Sequence, residues 1–517
     1  MQVSKVQLVA LLLLLSCGMY SHGSKILVIA PLAGKSHWQF FGEIIKTLAD
    51  HGHQITSLTS MPMISHNNVT EIDIEFDMSP LIPNTFENRG WWAGFSMMAK
   101  VPGMCTEALS RKNVRDIKIE EYDLVFISLF VNDCFFGLLD NTEVPVISMS
   151  PNTLVTTFHD IVGNVDFPSF VPMMTLPMKH PMTFTQRLLN TLANLFSYAL
   201  TKFYYHPSIE KACKDAGLCP RDMRSIQDIA AKSAFVFINN VQALETPVRP
   251  YVPAVIHAGG LNCRPAQPLP EDLASWIEGS GDAGTIYFSL GSIVKPKDMP
   301  ENFREVFVKV FSTLPQRVIW KWDEASMPGL PPNVKLAKWL PQQDILGHPK
   351  VHLFITHGGL FSTLEAIYHV VPILGFPVFA DQGSNMIKST ADGIAETIEW
   401  DDLTEDLLNH TIHKMLTDLK YQKTVNHRSQ LMRDQPMSPR DVVVYWTEYA
   451  IRHKGAPHLQ SPVKGMAWYQ IYNVDVWLSL IVISIACLYL DIKIIIALVR
   501  RCCYRTKTTG ELKKKKE

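Results

Sequence analysis

Cysteine is scarce in this chain and neither charge sign is in excess. Nine cysteines are spread over 517 residues, and five of them, Cys105, Cys134, Cys213, Cys219 and Cys263, lie between two apolar ends. That is too few for a disulfide-built scaffold, and no pair has the spacing of zinc ligands. Cys213 and Cys219 flank a short segment and could bridge around a helix end or stay as buried thiols. The 48 basic and 49 acidic residues leave a formal net charge of −1, so no global field favours a nucleic-acid partner. No internal repeat is visible. What the chain does have is length and apolar content: 47% of its residues are hydrophobic, too long a chain for one core when domains run to roughly 100–200 residues each.

The two ends read as targeting segments. Residues 1–23 carry a lone Lys5, an apolar core with five consecutive leucines, and small residues near Ser21 and Gly23, the pattern of a cleaved secretory signal. At the far end an apolar run over 476–499 is preceded by Trp468, Tyr469 and Tyr472 and followed by Arg500, Arg501 and Arg505. Aromatic residues on one side and cations on the other predict a single-pass type I span with a lumenal body. Asp491 and Lys493 interrupt the run. Either the span covers 476–499 with both charges near the cytosolic boundary, or it covers 471–490 and 492–499 lies along the membrane surface. Lys514 and Lys515 resemble a dilysine signal for the endoplasmic reticulum. Asn68-Val69-Thr70 and Asn409-His410-Thr411 fit glycosylation acceptors.

Between the ends, short apolar runs alternate with helical patterns. Strands are expected at 25–31, 53–59, 124–130, 144–149 and 235–239, then at 285–290, 317–322, 334–337, 352–356 and 372–376. A proline-rich passage containing Pro247, Pro250, Pro253, Pro265, Pro268 and Pro270 separates the two series and reads as a linker. The expected organisation is a first domain over 24–245, a linker over 246–272, a second domain over 273–455, a juxtamembrane segment over 456–475, a span over 476–499 and a basic tail over 500–517. Alternation of strand and helix predicts α/β domains with parallel sheets, doubly wound, with the ligand in the cleft. Two stretches in the first half, 90–104 and 167–184, are rich in aromatics, methionine and proline. They could wall an apolar acceptor pocket, touch the bilayer or simply pack in a core.

The densest chemical signal is residues 354–382, FITHGGLFSTLEAIYHVVPILGFPVFADQ. An apolar strand runs into His357-Gly358-Gly359 and then a helix. Glycines let the backbone turn and approach a ligand, and the helix N-terminus presents free N–H groups suited to a diphosphate. Ser362 adds a hydroxyl, Glu365 follows on the same helical face, and Asp381-Gln382 comes after the next strand. A carboxylate and an amide suit a hydroxyl-rich ligand. This stretch resembles the signature of the UDP-dependent glycosyltransferases of family 1, in the spacing of His357, Gly359, Ser362, Glu365, Pro372, Pro377, Asp381 and Gln382. Trp339-Leu340-Pro341-Gln342 resembles the segment with which that family stacks uracil on Trp339 and holds ribose or base with Gln342. The run 288–292, with Ser289, Gly291 and Ser292, is similar to its other phosphate-facing turn. The resemblance extends over nearly the whole chain and is strongest to the animal membrane-bound branch, insect type. It implies the GT-B arrangement, with UDP-sugar as donor and no obligatory cofactor or metal. Phe361 departs from the pattern, standing where many members carry asparagine.

In the first half, His37 follows the first strand by a short loop and so lies at the carboxyl edge of the sheet, where clefts form. Its ordinary pKa suits a base, and the resemblance implies that this histidine takes the acceptor proton. Asp133, after the strand at 124–130, is placed like the family's aspartate that orients the histidine. With a base but no matching nucleophile, direct displacement with inversion is the expected course. Gly34-Lys35-Ser36 is similar to part of a phosphate loop, but the first glycine would fall at Ile29 inside a strand, so ATP is not implied. The expected activity is hexose transfer from UDP-glucose to small lipophilic hydroxyl compounds in the endoplasmic-reticulum membrane, as in detoxification. UDP-glucuronate is the runner-up donor, because no cationic partner for its carboxylate is evident. A lumenal protein that only binds lipophilic ligands is the alternative of another class. Association into homo-oligomers is left open.

Overall fold

Two series of short apolar strands form two all-parallel sheets in the computed structural model, which describes residues 23–77, 86, 91–295 and 298–514, with the backbone alone at 91–97, 503 and 505–514. The expected signal at 1–23 thus lies almost wholly outside the described residues, as do Lys515 and the side chains of Trp91, Trp92, Phe95 and Met97. The first sheet comprises β1 (Lys25–Ile29), β2 (Gln54–Thr59), β3 (Val69–Asp73), β4 (Leu124–Ser128), β5 (Val146–Ser150), β6 (Ser233–Ile238) and β7 (Val255–His257), in the order β3-β2-β1-β4-β5-β6-β7. The second comprises β8 (Thr285–Ser289), β9 (Arg317–Lys321), β10 (Val334–Ala337), β11 (Val351–Thr356), β12 (Ile373–Gly375) and β13 (Ala395–Thr397), in the order β10-β9-β8-β11-β12-β13. In both, strand order reverses beside the first strand of the series, at β1/β4 and at β8/β11. Clefts open at such switch points, beyond the carboxyl ends of the strands.

Alternation along the strands explains why the second sheet is covered on both faces. Ile286 and Phe288 of β8, Val318 and Trp320 of β9 and Leu353 and Ile355 of β11 enter one apolar cluster. Tyr287, Ile319 and Phe354, between them in sequence, enter another on the opposite face. In the first sheet β4, β5 and β6 are buried along their whole length.

The helices used below are α1 (Lys35–Asp50), α2 (Trp91–Ser110), α3 (Phe184–Leu200), α4 (His206–Asp215), α5 (Gln342–Leu346), α6 (Leu360–Tyr368), α7 (Gln382–Ala391), α8 (Pro439–Arg452) and α9 (Val474–Lys514). Helix α1 buries Phe41, Ile44, Ile45 and Leu48 at helical spacing, and Gly52 at φ 90° makes the turn into β2 that other residues resist. A π turn, Thr201–Tyr205, joins α3 to α4.

Three features shift the expected boundaries. β7 pairs in parallel with β6, so part of the proline-rich linker belongs to the first sheet. Val443 and Ala450 of α8 pack in the first-half core, and Arg440 pairs with Glu43 of α1, so the chain returns to the first domain after completing the second. Strands β3, β7 and β13 are additions to the expected series. The scarce cysteines nevertheless form two disulfides, Cys105–Cys134 and Cys213–Cys219, and Cys263, Cys487 and Cys502 are free among the described residues. By itself, α9 is one unbroken helix through Asp491 and Lys493, and its Val474–Cys502 stretch of 29 residues holds an 18-residue window with a mean hydropathy of 2.4, long and apolar enough to cross a membrane.

Candidate active site

Each switch point delivers two loops, and expected site residues lie on all four, with Trp339 and Gln342 after β10 and Asp381 and Gln382 after β12. After β8 comes the turn through Ser289, Gly291 and Ser292, and after β11 comes His357-Gly358-Gly359 leading into α6. The His357 ring sits between these turns. A Cβ at Gly291 would lie 2.5 Å from its Cε1, and one at Gly359 would lie 2.6 Å from its Nε2. Gly291 also has φ 80°, so the site needs glycine there for conformation and for space. Thr356 Oγ1 meets His357 Nδ1 at 3.3 Å. Burial first, and then the neighbouring Lys321, hold the His357 imidazole down at about 4, so it is neutral at physiological pH. Lys321, at the carboxyl end of β9, donates to the Gly291 carbonyl.

The opposite wall of this pocket is assembled from α5 and α6. Gln342 Nε2 donates to Glu365 Oε2 at 2.7 Å and to Ser362 Oγ at 3.2 Å, while its Oε1 accepts from Tyr287 at 3.3 Å. Glu365 Oε1 accepts from Asn262 Nδ2 at 3.1 Å. Burial pushes the Glu365 carboxyl up to about 7 against these hydrogen bonds. Trp339 stands at the mouth, 60% exposed, with the Lys35 ammonium 3.6 Å above its ring centroid and that of Lys321 at 5.5 Å. An exposed indole beside a buried carboxylate and amide offers a stacking surface and partners for ribose hydroxyls.

At the acid–amide pair the two residues behave differently. Burial raises the Asp381 carboxyl, which accepts from Asn385 Nδ2 at 2.8 Å, and the same amide reaches the Gly358 carbonyl at 3.1 Å. Gln382 instead closes its own loop: its Oε1 accepts from the Val378 and Phe379 amides at 2.8 and 3.1 Å. The first half touches this corner. Ser384 donates to the Leu176 carbonyl at 3.2 Å, and Pro177 lies against Gly383, which brings the 167–184 stretch to α7. Phe361 is buried in the first-half core cluster, so its departure from the family pattern replaces a polar contact with an apolar one between the halves.

On the first-half side, Asn132 clips the two loops of the switch point together. Its Oδ1 accepts from Leu32 N at 2.9 Å and its Nδ2 donates to Leu32 O at 3.0 Å. His37, two residues into α1, meets the Phe130 ring edge-on with centroids 4.6 Å apart. Its Nδ1 is sealed from solvent without a hydrogen-bond partner, and burial lowers its pKa to about 4.

Asp133, expected beside His37, has its hydrogen bonds elsewhere in this structure. The buried Asp133 carboxylate accepts from Tyr205 Oη and pairs with His206 Nε2, both at 3.2 Å, at the junction of the π turn and α4. Cys134 next to it is tied to Cys105 of α2, which holds the loop where those two donors reach the carboxylate. Nothing in the sequence pattern marks Tyr205 or His206, which lie more than seventy residues from Asp133. Asn262 was hidden in the linker. Lys321 was legible only as a cation ending a strand, and Lys35 only within a failed phosphate loop. Among the described residues no group of three or more His, Cys, Asp or Glu side chains could hold a metal ion.

Residues 24–509 match the family described as "UDP-glucoronosyl and UDP-glucosyl transferase". The chain belongs to this family. It is 34% identical over 472 residues to UDP-glucosyltransferase 2 of Dactylopius coccus, covering 89% of this chain and 90% of that one. It is 30% identical over 525 residues to UDP-glucuronosyltransferase 2B18 of Macaca fascicularis, covering 96% of both. Among solved structures, the glycotransferase of kitacinnamycin matches with TM-score 0.58 at 16% identity, over 82% of this chain and 99% of that one. CalG4, the calicheamicin glycosyltransferase, matches with TM-score 0.56 at 15% identity, over 84% of this chain and all of that one. These structural likenesses establish the GT-B fold, with two Rossmann-like parallel sheets. The protein is a UDP-glycosyltransferase with a UDP-sugar as donor substrate, and its long apolar α9 fits a membrane anchor.

Proposed function

We propose that this transferase moves a hexose, glucose in the first instance, from its UDP donor to a hydroxyl of small lipophilic acceptors, with inversion at the anomeric carbon. The observation that carries the reading is the convergence of Gln342, Ser362 and Glu365 behind the exposed Trp339, next to a His357 framed by Gly291 and Gly359. Uracil stacks on Trp339, Glu365 accepts from ribose hydroxyls, and the diphosphate lies at the α6 N-terminus by Gly359, Ser289 and Ser292. Asp381 accepts from sugar hydroxyls, and Gln382 shapes the loop that presents it.

In the transfer, His37 takes the proton of the acceptor hydroxyl as that oxygen bonds to the anomeric carbon. The bond from that carbon to the diphosphate breaks, and its electron pair leaves with UDP. Burial keeps His37 unprotonated through the neutral range, the form a base requires. Asp133 holds Tyr205 and His206 and takes no part in orienting the base. The body faces the endoplasmic-reticulum lumen with α9 spanning as a type I anchor, and the products are conjugates of xenobiotics, hormones or pigments. Asn409, exposed, is the better glycan acceptor, since the Asn68 amide already donates to the Ala49 carbonyl at 3.1 Å. A second donor reading, glucuronate, is favoured by the two cations at Trp339, although they stand at the nucleobase end. Microsomes from insect cells expressing the full chain, given phenols with UDP-glucose or UDP-glucuronate, separate the two. Glucosides support the proposal, and glucuronides overturn the donor choice.

A further inference from the structure

Helix α3 is turned inside out. Phe184, Leu188, Leu189, Leu192 and Leu195 face outward, and Phe203 in the π turn continues the row, with Phe184 71% and Phe203 74% exposed. The inward face carries Asn190 and Asn194 instead, both buried. Asn190 Nδ2 donates to the Pro168 and Val171 carbonyls, each at 2.8 Å, and its Oδ1 accepts from Met173 N at 2.8 Å. Asn194 Nδ2 donates to the Asn190 carbonyl at 2.8 Å and its Oδ1 accepts from Thr156 Oγ1 at 2.7 Å. A helix rolled to hide its leucines would strand these amides, so the orientation is fixed from within. Water is the wrong solvent for the outer face, because soluble surfaces rarely leave so continuous an apolar patch uncovered.

The charges say what covers it. Residues 167–209 contain Lys179, Arg187 and Lys202 and no aspartate or glutamate. Asp160 reaches this region through Tyr198, which donates to it at 2.9 Å, and Asp166 and Glu210 border it at either end. A second copy would bring like cations together, whereas a lipid surface takes the apolar side chains among its acyl chains and the cations at its headgroups. The chain's own α9 keeps such a surface at high local concentration. At about 1.5 Å per residue the run 184–205 is roughly 33 Å long. Hydrogen-bonded to the body along one side, it lies in the membrane plane and does not cross it.

We infer that the outer face of α3 and its π turn is a membrane-docking surface that seats the catalytic body on the lipid interface. The inference rests on α9 being a membrane anchor, and one test distinguishes failure of either. The full chain is reconstituted in phosphatidylcholine vesicles, with or without phosphatidylserine. With Cys487, Cys502 and Cys503 replaced by serine, an environment-sensitive fluorophore is attached at Leu192→Cys or Leu195→Cys, or at Lys309→Cys as a water-facing control, and native Cys487 in α9 is labelled with only Cys502 and Cys503 replaced. Folding of each variant is checked by UDP binding. The inference predicts a blue-shifted signal at both α3 positions, quenched at least about twofold by lipids brominated on their acyl chains, and no quenching at Lys309→Cys. The triple variant Lys179→Glu, Arg187→Glu, Lys202→Glu loses the extra quenching that phosphatidylserine brings. Quenching at Cys487 with none at either α3 position would overturn the docking surface and leave the anchor intact. No quenching at Cys487 would overturn the anchor and the inference with it. A blue shift that bromolipids leave untouched and that fades on dilution of protein in the bilayer would assign the face to a second copy, and so overturn it as well.

Discussion

The two halves of the body use the same sheet order but build their share of the site in different ways. In the second half, His357, Gly359, Ser362, Glu365, Asp381 and Gln382 come from one stretch of strand, turn and helix. They are joined by Gln342 and Ser289 from neighbouring strand ends. In the first half, the two loops that matter are joined across 100 residues of sequence by one side chain, Asn132 on Leu32. The proposed base there, His37, has the Phe130 ring as neighbour, and the Asp133 carboxylate pairs with His206 instead. The proposed donor site is built mostly from local geometry, whereas the loops of the proposed acceptor side depend on distant contacts for their placement.

The sharpest way to break this contrast is Gly291→Ala. A side chain at φ 80° is strained, and its Cβ would collide with the His357 ring. UDP affinity should fall by about 100-fold, roughly 3 kcal/mol, in a binding titration. Affinity within twofold of wild type would show that the His357 pocket is not the donor site. Next comes Trp339→Ala. Stacking on an aromatic ring contributes about 1–3 kcal/mol per base, so KM for the UDP-sugar should rise about 10- to 100-fold while kcat changes little.

Asp133→Asn tests the acceptor side. Loss of the charge that Tyr205 and His206 share should lower stability by about 1–3 kcal/mol in thermal melts, with a kcat cost under about tenfold. A kcat collapse without any loss of stability would return Asp133 to the base. The smallest effect belongs to Glu365→Gln. The folded-state pKa of about 7 lies above that of an exposed glutamate, so the folded protein holds an extra proton between those values and loses stability as pH rises through about 7. Glutamine carries no such penalty, and Asn262, whose Oδ1 has no partner, can turn its amide to accept from it. The variant should therefore melt higher than wild type at pH 8 and show no gain at pH 5, while ribose binding weakens.

The residues proposed for the donor pocket could be picked out in the sequence because most of them are contiguous and because glycine turns, strand ends and helix starts have local signatures. Both sheets were legible for the same reason, apart from β3, β7 and β13, which are short or partly polar edge elements. Asp133 looked like a catalytic partner because it follows a strand at the switch point. Its true neighbours, Tyr205 and His206, are brought in by a helix whose path depends on Asn190, Asn194 and two disulfides, none of which has a periodic pattern. Helix α3 misleads for a related reason: its leucines have core spacing, yet its asparagines are the residues inside.

The division of labour between the halves is tested most directly by one paired measurement on His37→Ala in the membrane-embedded full chain: UDP affinity by titration and single-turnover transfer at saturating donor. UDP affinity within about twofold of wild type, with transfer slowed by at least about 100-fold, is the predicted result for a base that stands apart from the donor pocket. Transfer at the wild-type rate, or a joint loss of transfer and UDP binding, would contradict it.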